Sequence, residues 1–310
     1  MEFFKPRIMT PELRLMTSLN ARMTLSEEER QAFLNSVKGF EGECQFDQMV
    51  ATQLNDRWLV LNDLLLKLGK SSFQIDSLLV SGTTMNIVDV KNFEGDYFID
   101  ENGVWRHVGS KREMKDPLLQ LNRCESSLRQ LLYQHRLKFT VKSHLLFINP
   151  EFTLYQVPVH HPIVLPTQVN RFFEKMKTIT PERNPKNIAA AQLLSSLHTV
   201  DSPYERSPQY SYDGLKKGIL CGCCSSFMLQ INRSYMKCNN CRSLEKIDSA
   251  ILRSVEEFQL LFPSMQIKTN AILDWCGGNV GSDKVIRRIL CENYQMVGYG
   301  KNSYYIKKDK

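Results

Sequence analysis

The stretch Phe73 to Gly95, FQIDSLLVSGTTMNIVDVKNFEG, holds two short apolar runs separated by SGTT. Each run carries an acid where a buried strand would be better packed by Ile or Val. Side chains alternate across a strand, so Asp89 and Lys91 point to one face of theirs. A gap as short as SGTT suits a hairpin, which sets Asp76 and Asp89 on adjacent strands. Two carboxylates in a partly buried place repel each other and lose hydration, and a cation relieves both costs. Hard oxygen ligands in a site that keeps its waters suit Mg²⁺, or Mn²⁺ in its place. Lys91 is then placed to hold or deprotonate a water on the ion. Alone, an acid, any residue and a lysine form an ordinary strand salt bridge, so the neighbourhood has to decide.

Upstream, WLVLNDLLL is a third strand-like run, and GFEGECQFDQMVATQL opens a helix after a glycine pair. Phe46, Met49, Val50 and Leu54 recur at helical spacing in it. Downstream, NFEGDYFIDENGVWRHVGS is a turn-rich insertion, and Pro117 then starts a helix over LLQLNRCESSLRQLLYQ. FTVKSHLLFIN follows as a fourth strand. A strand–helix–strand crossover makes this last pair parallel. The expected fold class is α/β, a mixed sheet flanked by helices.

Two further polar residues point the same way. Glu43 precedes Phe46 by three and Val50 by seven, and so shares the core-facing stripe of its helix. By the same count Gln120 shares a face with Cys124, Leu128 and Leu131. A carboxylate and an amide facing inward could complete one site above the sheet. The order GFEGE, QID, IVDVKNFEG, DPLLQLNR resembles the nuclease-related domain, a branch of the PD-(D/E)XK nuclease superfamily, over roughly residues 35 to 150. KPRIMTPELRLMTSLNARMTLSEEE is similar to the lead-in of bacterial members. The resemblance implies a metal-dependent phosphodiesterase fold, with Asp89 and Lys91 as the acid-x-lysine element. Asp76 matches the preceding acid, Glu43 the first-helix acid and Gln120 the glutamine of the following helix. Asp76, Asp89 and Glu43 are the implied Mg²⁺ ligands; Lys91, Glu43 and Gln120 are the implied catalytic groups.

CGCCSSFMLQINRSYMKCNNC contains two C-x2-C pairs, Cys221 with Cys224 and Cys238 with Cys241, separated by thirteen residues. Four thiolates suit a closed tetrahedral Zn²⁺ site, and the gap suits a hairpin; the pattern resembles a zinc ribbon. Cys223 competes with Cys221 or Cys224, although only the latter two keep the same spacing on both sides. Nine cysteines, an odd number, argue against a disulfide framework and for a reducing, cytoplasmic setting.

From Asp248 the pattern is helix, TNAILDWCGG, SDKVIRRILCENY, then MVGYGKNSYYIKK, with Thr269 and Ser282 as expected N-caps. The third helix buries Val285, Ile286, Ile289 and Leu290 and carries Lys284, Arg287 and Arg288 on its other face. The module resembles a winged helix, which would contact DNA through these residues and Lys301. Winged helices also dock proteins. His160 and His161, beside Pro162, have no spaced partner and read as a surface loop.

Charge agrees with a nucleic-acid partner. Residues 37–165 hold 14 Lys/Arg against 15 Asp/Glu, and residues 166–310 hold 21 against 13. A basic second half fits an acidic polymer, DNA by expectation. No run approaches a membrane span, and MEFFKPRIMTPELRL has no signal-peptide core. The expected organisation is a helical arm (1–36) ending in the charged run Glu27 to Arg30, an α/β domain (37–166), a connecting segment with Pro181, Pro185, Pro203 and Pro208 and a helical piece around KNIAAAQLLSSL (167–215), a zinc ribbon (216–246) and a winged-helix-like domain (247–310). The expected function is a Mg²⁺-dependent nuclease acting on DNA. Its rivals are a non-catalytic DNA-binding or regulatory protein on a nuclease-like scaffold, and an interaction protein using the zinc module.

Overall fold

The computed structural model describes residues 3–158, 161–178, 183–200, 207–278, 282–300 and 303–308. Its contacts divide into two units, residues 1–9 with 35–201 and residues 10–34 with 202–310.

The first unit is built on a five-stranded sheet of order β1-β2-β3-β6-β8. The strands are β1 (Leu59–Leu68), β2 (Ser71–Ser81), β3 (Thr84–Lys91), β6 (Thr140–Phe147) and β8 (Ile163–Val164). β1, β2 and β3 are antiparallel neighbours, and β6 lies parallel to β3, as the crossover through α3 (Pro117–Gln134) requires. Asp116 caps α3, accepting the Leu118 N–H at 2.8 Å, with Pro117 at the first helical position. β3 is buried on both faces. Ile87 joins one apolar cluster with Leu121 and Leu128 of α3 and Ala190 of α5 (Pro185–Ser196). Val88 joins the other, with Phe46 of α2 (Glu27–Gln53) and Phe173 of α4 (Val169–Thr178). The insertion after Lys91 forms a small second sheet, in which β4 (Gly95–Ile99) pairs with β5 (Trp105–His107) and β7 (Phe152–Tyr155).

Three expectations change. Residues 3–7 are not helical; they run along β1, with Lys5 bridging Leu61 and the Asn62 N–H donating to the Lys5 carbonyl at 2.9 Å. The run Glu27–Arg30 begins α2 instead of ending an arm. Ser26 and Glu29 form a reciprocal capping box there, and α2 runs through both glycines. Gly42 serves close approach, since a Cβ there would meet that of Asn92 at 2.6 Å. Finally, the connecting segment supplies α4 as well as the expected helix, α5, and their Phe172, Phe173, Ala190 and Ala191 are core residues of the first unit. Helices that bury phenylalanine and alanine faces in a core contribute too much apolar burial to act only as a linker. Pro181 and Pro203 lie outside the described residues.

In the second unit, α1 (Pro11–Arg22) is capped by Thr10 and buries Leu15, Leu19 and Arg22. The Arg22 guanidinium is fully buried against Glu257 at 2.7 Å, and lies 3.9 Å from the Trp275 ring centroid. A three-stranded sheet of β9 (Met228–Gln230), β10 (Tyr235–Cys238) and β11 (Leu244–Lys246) leads into α6 (Ile247–Leu261). Then come α7 (Thr269–Trp275), α8 (Asp283–Asn293) and the hairpin of β12 (Tyr294–Val297) with β13 (Tyr304–Lys307). Ile286, Ile289 and Leu290 are buried and Val285 is half-buried. Thr269 is the first residue of α7, not its cap; Lys268 takes that place without a side-chain bond. Among the described residues no helix is long and apolar enough to cross a membrane.

Candidate active site and metal centre

Asp76 sits where two strands lose their regularity. Every residue of β1 from Leu59 to Leu68 pairs with β2 except Asp63, which stands opposite Asp76 with a left-handed φ of 51°. Leu59 and Leu61 nevertheless face the same core as Leu64 and Leu66, so the alternation slips by one residue there. The backbone pairing of β2 with β3 ends at Ser77 opposite Val88. Beyond it the Asp76 carboxylate substitutes for a strand, accepting the Val90 N–H at 3.1 Å. Asp76 and Asp89 therefore fill the fork between two parting strands, which is why these strands tolerate them.

Asp89 is buried and forms an ion pair with Lys91. Burial and the neighbouring Asp76 push the Asp89 carboxyl up to about 7, against the opposing pull of Lys91. Burial alone would depress the Lys91 ammonium, but Asp76 and Asp89 outweigh it and hold its pKa above the ordinary value. At neutral pH Lys91 is a cationic donor, not a free base. Glu43 comes from α2, where burial and the charge on Asp76 push it up to about 8, with Arg7 opposing.

Arg7 is the residue that local pattern did not reveal. Its guanidinium, 3% exposed, pairs with Glu43 and bonds Asp47 at 2.9 Å, the Asp76 carbonyl at 2.8 Å and Ser77 Oγ at 2.9 Å. It ties the N-terminal segment, α2 and the fork together. The available signal was the basic pair in KPR, but no periodicity links it to Glu43. Glu43 is thus committed to Arg7 and does not converge with both aspartates. Among the described residues only the four cysteines form a group of three or more ligand side chains within 4.8 Å.

Gln120 departs from expectation. It is exposed, at the border of the stripe Leu121, Cys124, Leu128, Leu131, and lines a cavity of about 500 Å³ with Gln74, Lys115, Arg123 and Cys124. It lies in the first turn of α3, and a step of four residues back from Cys124 rotates it out of the core. Cys124 itself faces the acids, which together with burial push its thiol up to about 12. Glu43 and Lys91 open instead onto a cleft of about 850 Å³ walled by Lys38, Tyr97, His107 and Arg112.

The cysteine cluster is built from two equivalent turns. The Cys221 N–H donates to the Ser226 carbonyl and the Ser225 N–H to Cys221; the Cys238 N–H donates to Ser243 and the Arg242 N–H to Cys238. Ser225 and Arg242, four residues after each first cysteine, both adopt left-handed φ, 56° and 62°. The four sulfurs lie within 4.8 Å of one another, and the Cys223 N–H donates to Cys221 Sγ at 3.4 Å while the Cys223 side chain is exposed. This donor set fits a structural metal such as zinc, and the expected ribbon is consistent with it. Cys223 is not one of the four.

Of the expected DNA contacts, Lys284 and Arg287 are exposed on α8. Arg288 is instead held by Asp248 at 2.8 Å and Glu292 at 3.1 Å. Lys301 and His160 lie outside the described residues.

The family model of the nuclease-related domain matches residues 38–166. The chain carries a nuclease-related domain. That domain covers α2 from Lys38, the strands of the fork, α3 and β6, and hence all of Glu43, Asp76, Asp89, Lys91 and Gln120. No curated protein and no solved structure matches the chain.

Proposed function

We propose that the protein is a Mg²⁺-dependent nuclease that hydrolyses phosphodiester bonds of DNA. The observation that carries this reading is the fork, where the nuclease-related domain buries Asp89 beside the half-buried Asp76 and Lys91. A donor set of two hard carboxylates, one pushed up to about 7 by burial and by its neighbour, fits a divalent cation. Bound there, Mg²⁺ would supply Lewis-acid stabilisation of the scissile phosphate and a lowered water pKa. Glu43 would reach that ion through water, since Arg7 already engages it. Lys91, kept as an ammonium, would donate to the attacking water or to a phosphate oxygen as charge develops. Gln120 would position phosphate from the neighbouring cavity that it shares with Lys115 and Arg123.

The cysteine cluster would hold Zn²⁺ in a ribbon, and α6 to β13 would act as a winged helix bringing DNA to the enzyme. The three helices, the closing hairpin and the bridge of Ile267 to Tyr305 support that topology. Lys284 and Arg287, with Lys301, are its proposed DNA contacts; Arg288 is reassigned to holding α8 against Asp248. Nine cysteines outside any disulfide suit a cytoplasmic setting.

The second reading is a non-catalytic DNA-binding scaffold, favoured by the Asp89–Lys91 ion pair, which would serve structure alone. The test is incubation of wild type, Asp89→Asn and Lys91→Ala with linear, circular and single-stranded DNA and with RNA, in Mg²⁺, Mn²⁺ or EDTA. Metal-dependent cleavage by wild type alone supports the enzyme. No cleavage of any substrate, with no metal-dependent change in melting, establishes the scaffold.

A further inference from the structure

A second cavity lies on the face of the sheet opposite the acids. β3 alternates, so Asp89 and Lys91 share the side of Ile87, whereas Asn86 and Val88 face α4. Beside Asn86 and Val88, across the β3–β6 register, stand Lys142 and His144. They border a cavity of about 940 Å³ that is also lined by His161, Arg171 and Lys175, with Phe172 and Pro162 among its apolar parts.

Among the described residues no carboxylate lines this cavity. Among the described residues Lys142, Arg171 and Lys175 form no ion pair, so three unneutralised cations border one cavity. Glu125, the nearest acid to bond a lining residue, accepts from Ser143 and is itself paired with Arg129. His144 packs edge-on to Phe172 at 5.1 Å and lies 3.4 Å from Asn86 Oδ1, leaving Asn86 Nδ2 buried without a partner. Burial, with Lys142 and Lys175 adding repulsion against the pull of Glu125, drives the His144 pKa down to about 4.

We propose that this cavity binds the phosphate of a nucleotide, with the base against the apolar wall. A guanidinium fork and two ammonium groups match phosphate oxygens, and a cavity of this size with an apolar side suits a heterocycle. The nucleotide is either free or one unit of a strand, and the two sources give different results below. The site is separate from the metal site, so it stands whether or not the protein cleaves DNA.

The test uses the full chain in EDTA at low salt, titrated with ATP by calorimetry and with a short labelled single-stranded oligodeoxynucleotide by anisotropy. Arg171→Glu with Lys175→Glu, both exposed, should weaken binding by about ten-fold or more, as expected for lost charge-assisted bonds. Lys70→Glu, an exposed charge control in the β1–β2 turn, should leave it unchanged. A loss confined to ATP assigns a free nucleotide, and a loss confined to the oligonucleotide assigns a strand. Wild type binding neither probe, or an equal loss in Lys70→Glu, would overturn the proposal.

Discussion

The cysteine cluster and the acid fork are two answers to bringing like-charged ligands together. Each half of the cysteine site is a local turn, closed by hydrogen bonds within six residues of its first cysteine. The fork draws Arg7, Glu43, Asp76 and Asp89 from separate segments and relieves their repulsion with Arg7 and Lys91. With the proposed zinc, the first site would rely on the ion to hold its two turns together. The second already has internal cations, and it can fold without one.

The largest test of this contrast is Cys238→Ser. Structural zinc contributes roughly 10–16 kcal/mol in small domains, so wild type should carry about one Zn²⁺ per chain. The variant should lose it together with the protease resistance of the sheet β9–β11, leaving the first unit folded. Protein purified without chelators that contains no zinc would remove the basis of the contrast.

Arg7→Ala asks the complementary question. Removing the cation strands Glu43 and Asp47 without compensation, a change that costs about 3–5 kcal/mol when a buried pair is broken. Urea unfolding should show it, and Mg²⁺ should recover part of the loss if the acids are its ligands. A loss below about 1 kcal/mol, the range of exposed pairs, would mean that the fork does not depend on Arg7.

Lys91→Ala should keep metal affinity while slowing cleavage by ~10²-fold or more, as for a positioned charge-stabilising group. Equal losses in affinity and rate would make Lys91 an organiser of the site instead.

The smallest effect is in pH. Asp89 titrates near 7 when folded, above the ~3.9 of an unfolded aspartate, so the folded state holds the proton between these values. Its contribution to stability is full below about pH 4 and is lost as pH rises through 7; Glu43, raised to about 8, extends the loss in the same direction. Metal-free protein should melt at a lower temperature at pH 8 than at pH 5, and Asp89→Asn should flatten the slope and be as stable or more so at pH 8. Mg²⁺ affinity should rise over the same interval as protons leave. A melting temperature that climbs from pH 5 to pH 8 in wild type, and not in Asp89→Asn, would assign Asp89 to a stabilising salt bridge.

Legibility in the sequence followed the range of the interaction. SGTT and the apolar runs around it placed β2, β3 and their acids, because hairpin pairing and strand alternation depend on neighbours in the chain. Pro117 placed α3, and paired C-x2-C spacing placed four sulfurs whose turns are local. Ser26 and Glu29 were legible as a capping box and would have moved the start of α2 back from Gly39. Gln120 lay one helical step from a core position, where counting by fours and the drift of a 3.6-residue turn diverge.

What the sequence by itself determined is the set of elements and their chemistry: strands that carry acids, a helix after Pro117, sulfurs spaced for one ion. Only the tertiary structure decided that Arg7 reaches Glu43, Asp47 and the fork. It also decided that Arg288 turns to Asp248, and that Lys142, Arg171 and Lys175 share a cavity with no acid among its described lining residues. These are long-range electrostatic choices. A charged side chain carries no periodic signature of its partner, and its energy depends on burial and on neighbours that folding alone brings near.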